Sequence, residues 1–271
     1  MSSVGARPAT AHVDLGQGPA VLLLHGTAPG TTAAANFDHL VPALAQHHRV
    51  VAPDLWGFGA SGKPAGLAYG PELWVEQAFA LLYALGIGDA VVLGNSMGAR
   101  VALTMALRRP GLVRGLVLFS ARLHPSRSQA QDLIRAYHPD RAAMAELLRE
   151  CFATDPAAVT PEQVDQRYRD SAAPGAHEAL QSLFAGLPAA GPGPSGDDLR
   201  ALSVPALVVA GREDRVVPFG DSVELAGLLP DADLHVFAGT GHWFLLERAA
   251  TVTPLILDLL ARAARPRELQ D

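Results

Sequence analysis

The feature that most constrains this chain is a series of short, almost wholly apolar runs at 21–24, 49–52, 90–93, 116–119, 206–210 and 234–237. A strand with one wet face alternates polar and apolar residues. A run that skips the alternation is covered on both faces. Between these runs, residues 37–46, 71–85, 97–109, 222–228 and 249–264 carry helical spacing. Strands that alternate with helices predict a mainly parallel sheet with helices on both sides. With 271 residues, 49% of them hydrophobic, the chain can bury one substantial core.

The alternation stops between residues 123 and 196. There 141–151, 161–170 and 175–184 read as helices with no strand among them, and 188–196 reads as a Pro/Gly-rich linker. The sheet pattern resumes at Val204. The expected organisation is a core of residues 1–122 and 197–271 with a helical cap, 123–196, inserted between two strands. Ligands of open parallel sheets bind beyond the carboxyl ends of the strands, so this cap is expected to roof the site. The polar tail after Arg265 is expected to be disordered.

The strongest chemical signal is Gly94-Asn95-Ser96-Met97-Gly98, which follows a strand-like run and opens a helix-like one. A tight strand-to-helix turn exposes a serine hydroxyl, and the glycines relieve crowding at the strained turn. Ser96 is the expected nucleophile. The Met97 amide, at a helix N-terminus, is placed to donate to a developing oxyanion. A second amide is expected from Thr27, in the turn His25-Gly26-Thr27-Ala28-Pro29-Gly30. His25 itself reads as a structural residue that braces this loop.

A serine nucleophile needs a base and an acid to orient that base. Of ten histidines, His242 is the one on a loop at the carboxyl end of a strand and after both other candidates, in the order Ser, Asp, His. The acid is expected at Asp214, in Gly211-Arg212-Glu213-Asp214 after the 206–210 run, with Glu213 in reserve. Such folds also place this acid after the preceding strand, but that stretch reads Ser120-Ala121-Arg122 and holds no carboxylate.

Other chemistries lack their residues. No zinc-protease helix motif, paired cysteines, phosphate loop or dinucleotide fingerprint occurs, so no metal and no cofactor is expected. The formal net charge of −6, without a long basic run, argues against nucleic acid and anionic membrane as partners. No apolar run reaches the length of a membrane span, and no signal peptide is visible. Cys151 is the single cysteine, which excludes an intrachain disulfide and suits a reducing, cytoplasmic setting.

Taken together, the glycine turn after the first run, Asp54-Leu55-Trp56-Gly57-Phe58-Gly59-Ala60-Ser61, the serine elbow, the cap, Asp214 and His242 resemble the α/β-hydrolase fold over nearly the whole chain. More narrowly, the chain resembles the meta-cleavage-product hydrolases. These cleave a carbon–carbon bond in 2-hydroxy-6-oxo-hexa-2,4-dienoates. Four features carry this likeness: Pro29-Gly30 followed by Asn36, the Asn95-Ser96-Met97 elbow, Trp243 after the histidine, and Arg167-Tyr168-Arg169-Asp170-Ser171 in the cap.

The resemblance implies that Arg167 grips the dienoate carboxylate through its planar fork of donors. It also implies that Asn36 and Asn95 hydrogen-bond substrate oxygens, that Trp243 lines the pocket, and that the protein forms a homodimer or larger homo-oligomer around a small-molecule activity. The chain departs from the family at Thr27-Ala28, at Gly98-Ala99 and in the short Pro/Gly-rich segment after Phe184. The rival readings are an esterase or lactonase with the same triad, a biosynthetic tailoring hydrolase, a slow-turnover binding protein, and a cofactor-free oxygenase or lyase.

Overall fold

The computed structural model describes residues 8–124, 127–188, 191 and 193–264. Its sheet contains β1 (His12–Leu15), β2 (Ala20–Leu24), β3 (Arg49–Pro53), β4 (Ala90–Asn95), β5 (Val113–Phe119), β6 (Ala206–Gly211) and β7 (Ala232–Phe237). The strand order is β1-β3-β2-β4-β5-β6-β7. Every pairing is parallel except that of β1, which runs antiparallel to β3. All six apolar runs are strands. β1 lay outside that reading because it is an edge strand, largely exposed, with no continuous apolar signal.

The helices of the sheet layer are α1 (Ala33–Phe37), α2 (Val41–Leu44), α3 (Pro71–Ala84), α4 (Met97–Arg108), α9 (Gly196–Arg200), α10 (Phe219–Leu228), α11 (Phe244–Glu247) and α12 (Ala249–Ala263). The single helix expected over 37–46 is corrected to two short ones, α1 and α2. Pro42 explains the break: it has no amide to donate back to Asp38, and its ring crowds that carbonyl. Two apolar layers result. One, with Trp74, Leu82 and Leu103, packs on one face of the sheet; the other, with Phe37, Phe119 and Phe244, packs on the opposite face.

Between β5 and β6 the chain forms α5 (Gln129–Ala136), α6 (Arg141–Leu147), α7 (Pro161–Ser171) and α8 (Ala176–Gly186). α5, α6 and α7 share an apolar cluster of their own, around Met144, Leu148, Phe152 and Val164, while α8 buries Ala179, Leu180 and Leu183 in the core of the sheet layer. The helix expected over 141–151 is α-helical only to Leu147, and Leu148–Phe152 continues as a π-helical turn. α5 was not foreseen, although Ser128 caps it and Ala130 and Ile134 give it a buried side. Parts of the expected 188–196 linker and the tail after Arg265 lie outside the described residues.

Register brings the chemistry to one end of the sheet. Leu24 pairs with Gly94, and Asn95 pairs with Phe119, so the loops after β2, β4 and β5 emerge side by side. His25 ties this end together. Its Nε2 accepts the Leu55 amide at 2.9 Å, and its Nδ1 donates to the Gly26 carbonyl at 2.6 Å. That pattern fixes the neutral ring, and burial pushes its pKa below the ordinary value of 6.5. α4 crosses β2 so closely that a Cβ on Gly98 would stand 2.0 Å from the Leu24 carbonyl oxygen.

Two outcomes follow from this packing. Gly98→Ala forces two backbones apart and is expected to cost about 2–3 kcal/mol in denaturant unfolding, with loss of activity in the folded fraction. His25 gives a pH signature. Below about pH 6.5 the unfolded chain takes a proton that the folded His25 refuses, so stability falls as pH drops. His25→Gln is expected to flatten the fall in unfolding free energy between pH 7.5 and 5.5, by at most about 1.4 kcal/mol per pH unit.

Candidate active site

Ser96 sits between the end of β4 and the start of α4 with φ 54° and ψ −114°, a region that non-glycine residues seldom enter. It is locked there from both sides. Its amide donates to the Phe119 carbonyl at 2.8 Å, and its own carbonyl accepts the Ala99 amide at 3.0 Å. A conformation this strained costs of order 1–3 kcal/mol and survives only where surrounding packing imposes it.

His242 stands on the loop after β7, and its Nδ1 donates to Asp214 Oδ2 at 2.7 Å. His242 is 6% exposed, and the Asp214 carboxylate is fully buried behind it. The Val216 and Val217 amides donate to Asp214 Oδ1 at 2.8 and 2.9 Å. The Ser120 hydroxyl donates to Oδ2 at 2.8 Å. Burial alone would raise the Asp214 carboxyl, but His242 beside it and the Val217 and Ser120 donors hold it below the usual carboxylate value. Glu213, the reserve acid, accepts the Thr240 amide and shapes the histidine loop.

Ser120 was not foreseen as a site residue. It lies just past β5, in the stretch that holds no carboxylate, and it takes φ 44° there while its hydroxyl reaches Asp214. The type of residue at that position was legible; its contact with an acid 94 positions away was not.

The inserted helices supply the roof. Phe152, at the end of the π-helical turn, lies 5.6 Å from the His242 ring and stacks on Trp243 at 6.1 Å and 27°. The Phe152 carbonyl accepts the Trp243 amide at 3.2 Å. The Thr154 hydroxyl oxygen accepts the Gly241 amide at 2.6 Å and donates to Glu247 at 2.7 Å. The loop that carries His242 is therefore braced by the insertion as well as by the sheet. π-Helical turns recur at functional sites because they re-aim one side chain; no sequence signal marked this one.

Arg167, on α7, is 5% exposed. Its guanidinium donates to Thr31 Oγ1 and to the Pro29 carbonyl. Its Cζ lies 5.9 Å from the Trp243 ring and 6.0 Å from Phe152. Burial lowers its pKa to about 10, which leaves it charged at neutral pH. Gly30 takes φ 66°, and a Cβ there would stand 2.0 Å from the Arg167 carbonyl, so this glycine lets the loop dock on α7.

Ser96, His242, Arg167, Trp243, Thr27, Met97, Asn36 and Asn95 all line one cavity of about 630 Å³. That size lies within the roughly 300–1,000 Å³ typical of small-molecule sites. Asn95 Nδ2 donates to Asn36 Oδ1 at 2.9 Å. Among the described residues Asn95 Oδ1 is buried with no hydrogen-bond partner. Cys151 is buried away from this wall, and burial pushes its thiol up to about 12, so it is no rival nucleophile. Among the described residues no cluster of metal-ligating side chains occurs, and no helix is long and apolar enough to cross a membrane.

Comparison with known proteins agrees with this geometry. Residues 19–249 match the family model described as alpha/beta hydrolase fold. A 2-hydroxymuconate semialdehyde hydrolase from Pseudomonas sp. strain CF600 is 40% identical over 92% of this chain and 89% of its own. A 2-hydroxy-6-oxo-2,4-heptadienoate hydrolase from Pseudomonas putida is 36% identical over 92% and 91%. Among solved structures, the meta-cleavage product hydrolase CumD from Pseudomonas fluorescens IP01, a serine-to-alanine variant with acetates, superposes with a TM-score of 0.90. It is 33% identical, with 94% of this chain and 95% of that chain covered. Likeness of this extent and identity places the chain in the α/β-hydrolase fold family, among its meta-cleavage-product hydrolases.

Proposed function

We propose that the protein hydrolyses the carbon–carbon bond between C5 and C6 of a 2-hydroxy-6-oxo-hexa-2,4-dienoate, with Ser96, His242 and Asp214 as its triad. The observation that carries this reading is Arg167. A buried guanidinium in the wall of the cavity that holds Ser96 and His242 demands an anion, and a bidentate carboxylate suits its planar fork. An esterase or lactonase acting on a neutral substrate has no use for a buried cation there.

The remaining groups take roles around that anchor. The dienoate carboxylate meets Arg167 between Phe152 and Trp243. The unsatisfied Asn95 Oδ1 accepts the C2 hydroxyl, and Asn36 holds the Asn95 amide in place. The bound dienol ketonises by taking a proton at C5, so that the C2 ketone, conjugated through C3=C4, becomes the electron sink for the pair released from C5–C6. His242, kept in one tautomer by a carboxylate that stays charged, activates Ser96 or a water against the C6 ketone. The Thr27 and Met97 amides hold the resulting oxyanion. Collapse breaks C5–C6; the electron pair passes into the dienolate, and water finally supplies the hydroxyl of the released carboxylic acid.

The inserted segment 123–196 acts as a lid over this site, and its bracing of the histidine loop couples closure to a competent base. The single cysteine and the small-molecule chemistry suit a cytoplasmic enzyme, and the family resemblance suits a homodimer or larger assembly.

Two measurements test the reading. The yellow dienoate chromophore is expected to bleach rapidly with the wild type, and Ser96→Ala is expected to slow that loss by at least about 10³-fold. Fast p-nitrophenyl acetate hydrolysis without dienoate turnover would return the esterase reading. Arg167→Ala is expected to raise KM for the dienoate by about 10²-fold, near 3 kcal/mol of lost charge pairing. Its effect on p-nitrophenyl acetate should be far smaller, since that ester brings no carboxylate.

A further inference from the structure

The two residues that flank His242 are both held by the inserted segment. The Gly241 amide donates to Thr154 Oγ1 at 2.6 Å, and the Trp243 amide donates to the Phe152 carbonyl at 3.2 Å. Residues 152 and 154 thus lie against 241 and 243 as two rungs, with His242 between them. The fit is close: a Cβ on Gly241 would stand 3.3 Å from both the Phe152 carbonyl oxygen and Thr154 Oγ1. From the sheet side the same loop is held by Glu213, which accepts the Thr240 amide, and by the pairing of His242 with Asp214.

Glu247 closes a ring of contacts around this loop. It ends α11, the helix that starts directly after Trp243, and its amide donates to the Trp243 carbonyl at 3.0 Å. Its carboxylate spends both oxygens on one residue of the insertion: Oε1 accepts the Thr154 amide at 2.8 Å, and Oε2 accepts the Thr154 hydroxyl at 2.7 Å. Among the described residues no salt bridge includes Glu247. An ionised carboxylate only accepts, so the Thr154 hydroxyl proton points to Glu247 and a lone pair is left for the Gly241 amide. Donation to a charged acceptor also strengthens the hydroxyl as an acceptor, because bonds in a chain polarise one another. Among the described residues neither Thr154 nor Glu247 lines the cavity.

We propose that, with His242 as the base of the reading above, Thr154 and Glu247 are its positioning residues. Glu247 orients the Thr154 hydroxyl, and the hydroxyl holds the Gly241 amide so that the His242 ring keeps one position against Asp214 through the chemical step. Both residues act through His242 and touch no substrate. Their loss therefore falls on kcat and leaves the anion site at Arg167 intact.

The test is steady-state turnover of 2-hydroxy-6-oxo-hepta-2,4-dienoate and of p-nitrophenyl acetate, with the proton NMR resonance of His242 Nδ1–H as a readout that needs no substrate. Thr154→Val keeps the side chain's shape and removes its hydroxyl. It is expected to lower kcat about tenfold with KM within about twofold, and to broaden the Nδ1–H resonance. Thr154→Ser keeps the hydroxyl and should bring kcat back to within about threefold of wild type, with the sharp resonance restored. Glu247→Gln offers one carbonyl to two Thr154 donors and should fall between these two. Because Glu247 acts through the hydroxyl, adding Glu247→Gln to Thr154→Val should cost less than about twofold more in kcat. An unchanged kcat in folded Thr154→Val, a loss confined to KM, equal defects in the serine and valine variants, an unmoved resonance, or multiplying losses in the double variant would show that the two residues only fasten the insertion, and would overturn the proposal. Should Thr154→Val fail to fold, Glu247→Gln alone decides: a kcat within about twofold of wild type overturns it. A wild type that cleaves the ester but not the dienoate overturns the carbon–carbon reading, and the same comparisons on the ester then decide this one. Turnover of neither substrate overturns both.

Discussion

At Ser96 the backbone is held at φ 54° and ψ −114° by a hydrogen bond to β5 on one side and by the first turn of α4 on the other. Most of the site's geometry depends on that turn. It brings Ser96 to the cavity wall and starts α4 at Met97, which lines the same cavity. The turn is possible because Gly98 lets α4 press against the Leu24 carbonyl. The strain is local, but its support is spread over β2, β4 and β5, whose buried interiors cannot relax without opening the sheet.

His242 and Asp214, the base and acid of the proposed triad, are built differently. Neither is strained into place by its own strand. Asp214 is surrounded by donors from its own loop and from Ser120, so its charge is stabilised even though it is buried. His242 is then held by Asp214 on one side and by Phe152 on the other. Phe152 and Thr154 belong to the insertion, and both contact the histidine loop directly. The helices over the sheet thus help to hold the loop that carries His242, although Ser96, Asp214 and His242 themselves all lie in the sheet layer.

Charge and aromatic rings mark the cavity. Arg167, buried beside the Trp243 and Phe152 rings, lines the same space as Ser96 and His242. Arg100, Arg122 and Arg135 line it as well, reaching it from α4, from the loop after β5 and from α5.

The sequence by itself marked six of the seven strands, the serine turn and the order of Ser96, Asp214 and His242, because each signal is local: apolar runs report strands that pack in a sheet, and glycines report crowding within a few residues. It also marked Arg167, through a short cap motif. Tertiary structure alone decided the rest. The edge strand β1, largely exposed, carried no continuous apolar signal. Ser120 meets Asp214 across 94 positions, and Phe152 meets His242 through a π-helical turn without a composition of its own. Arg100, Arg122 and Arg135 reach one cavity from three separate segments of the chain. Contacts between distant segments depend on how strands register and where an insertion lands, and no local spacing encodes either.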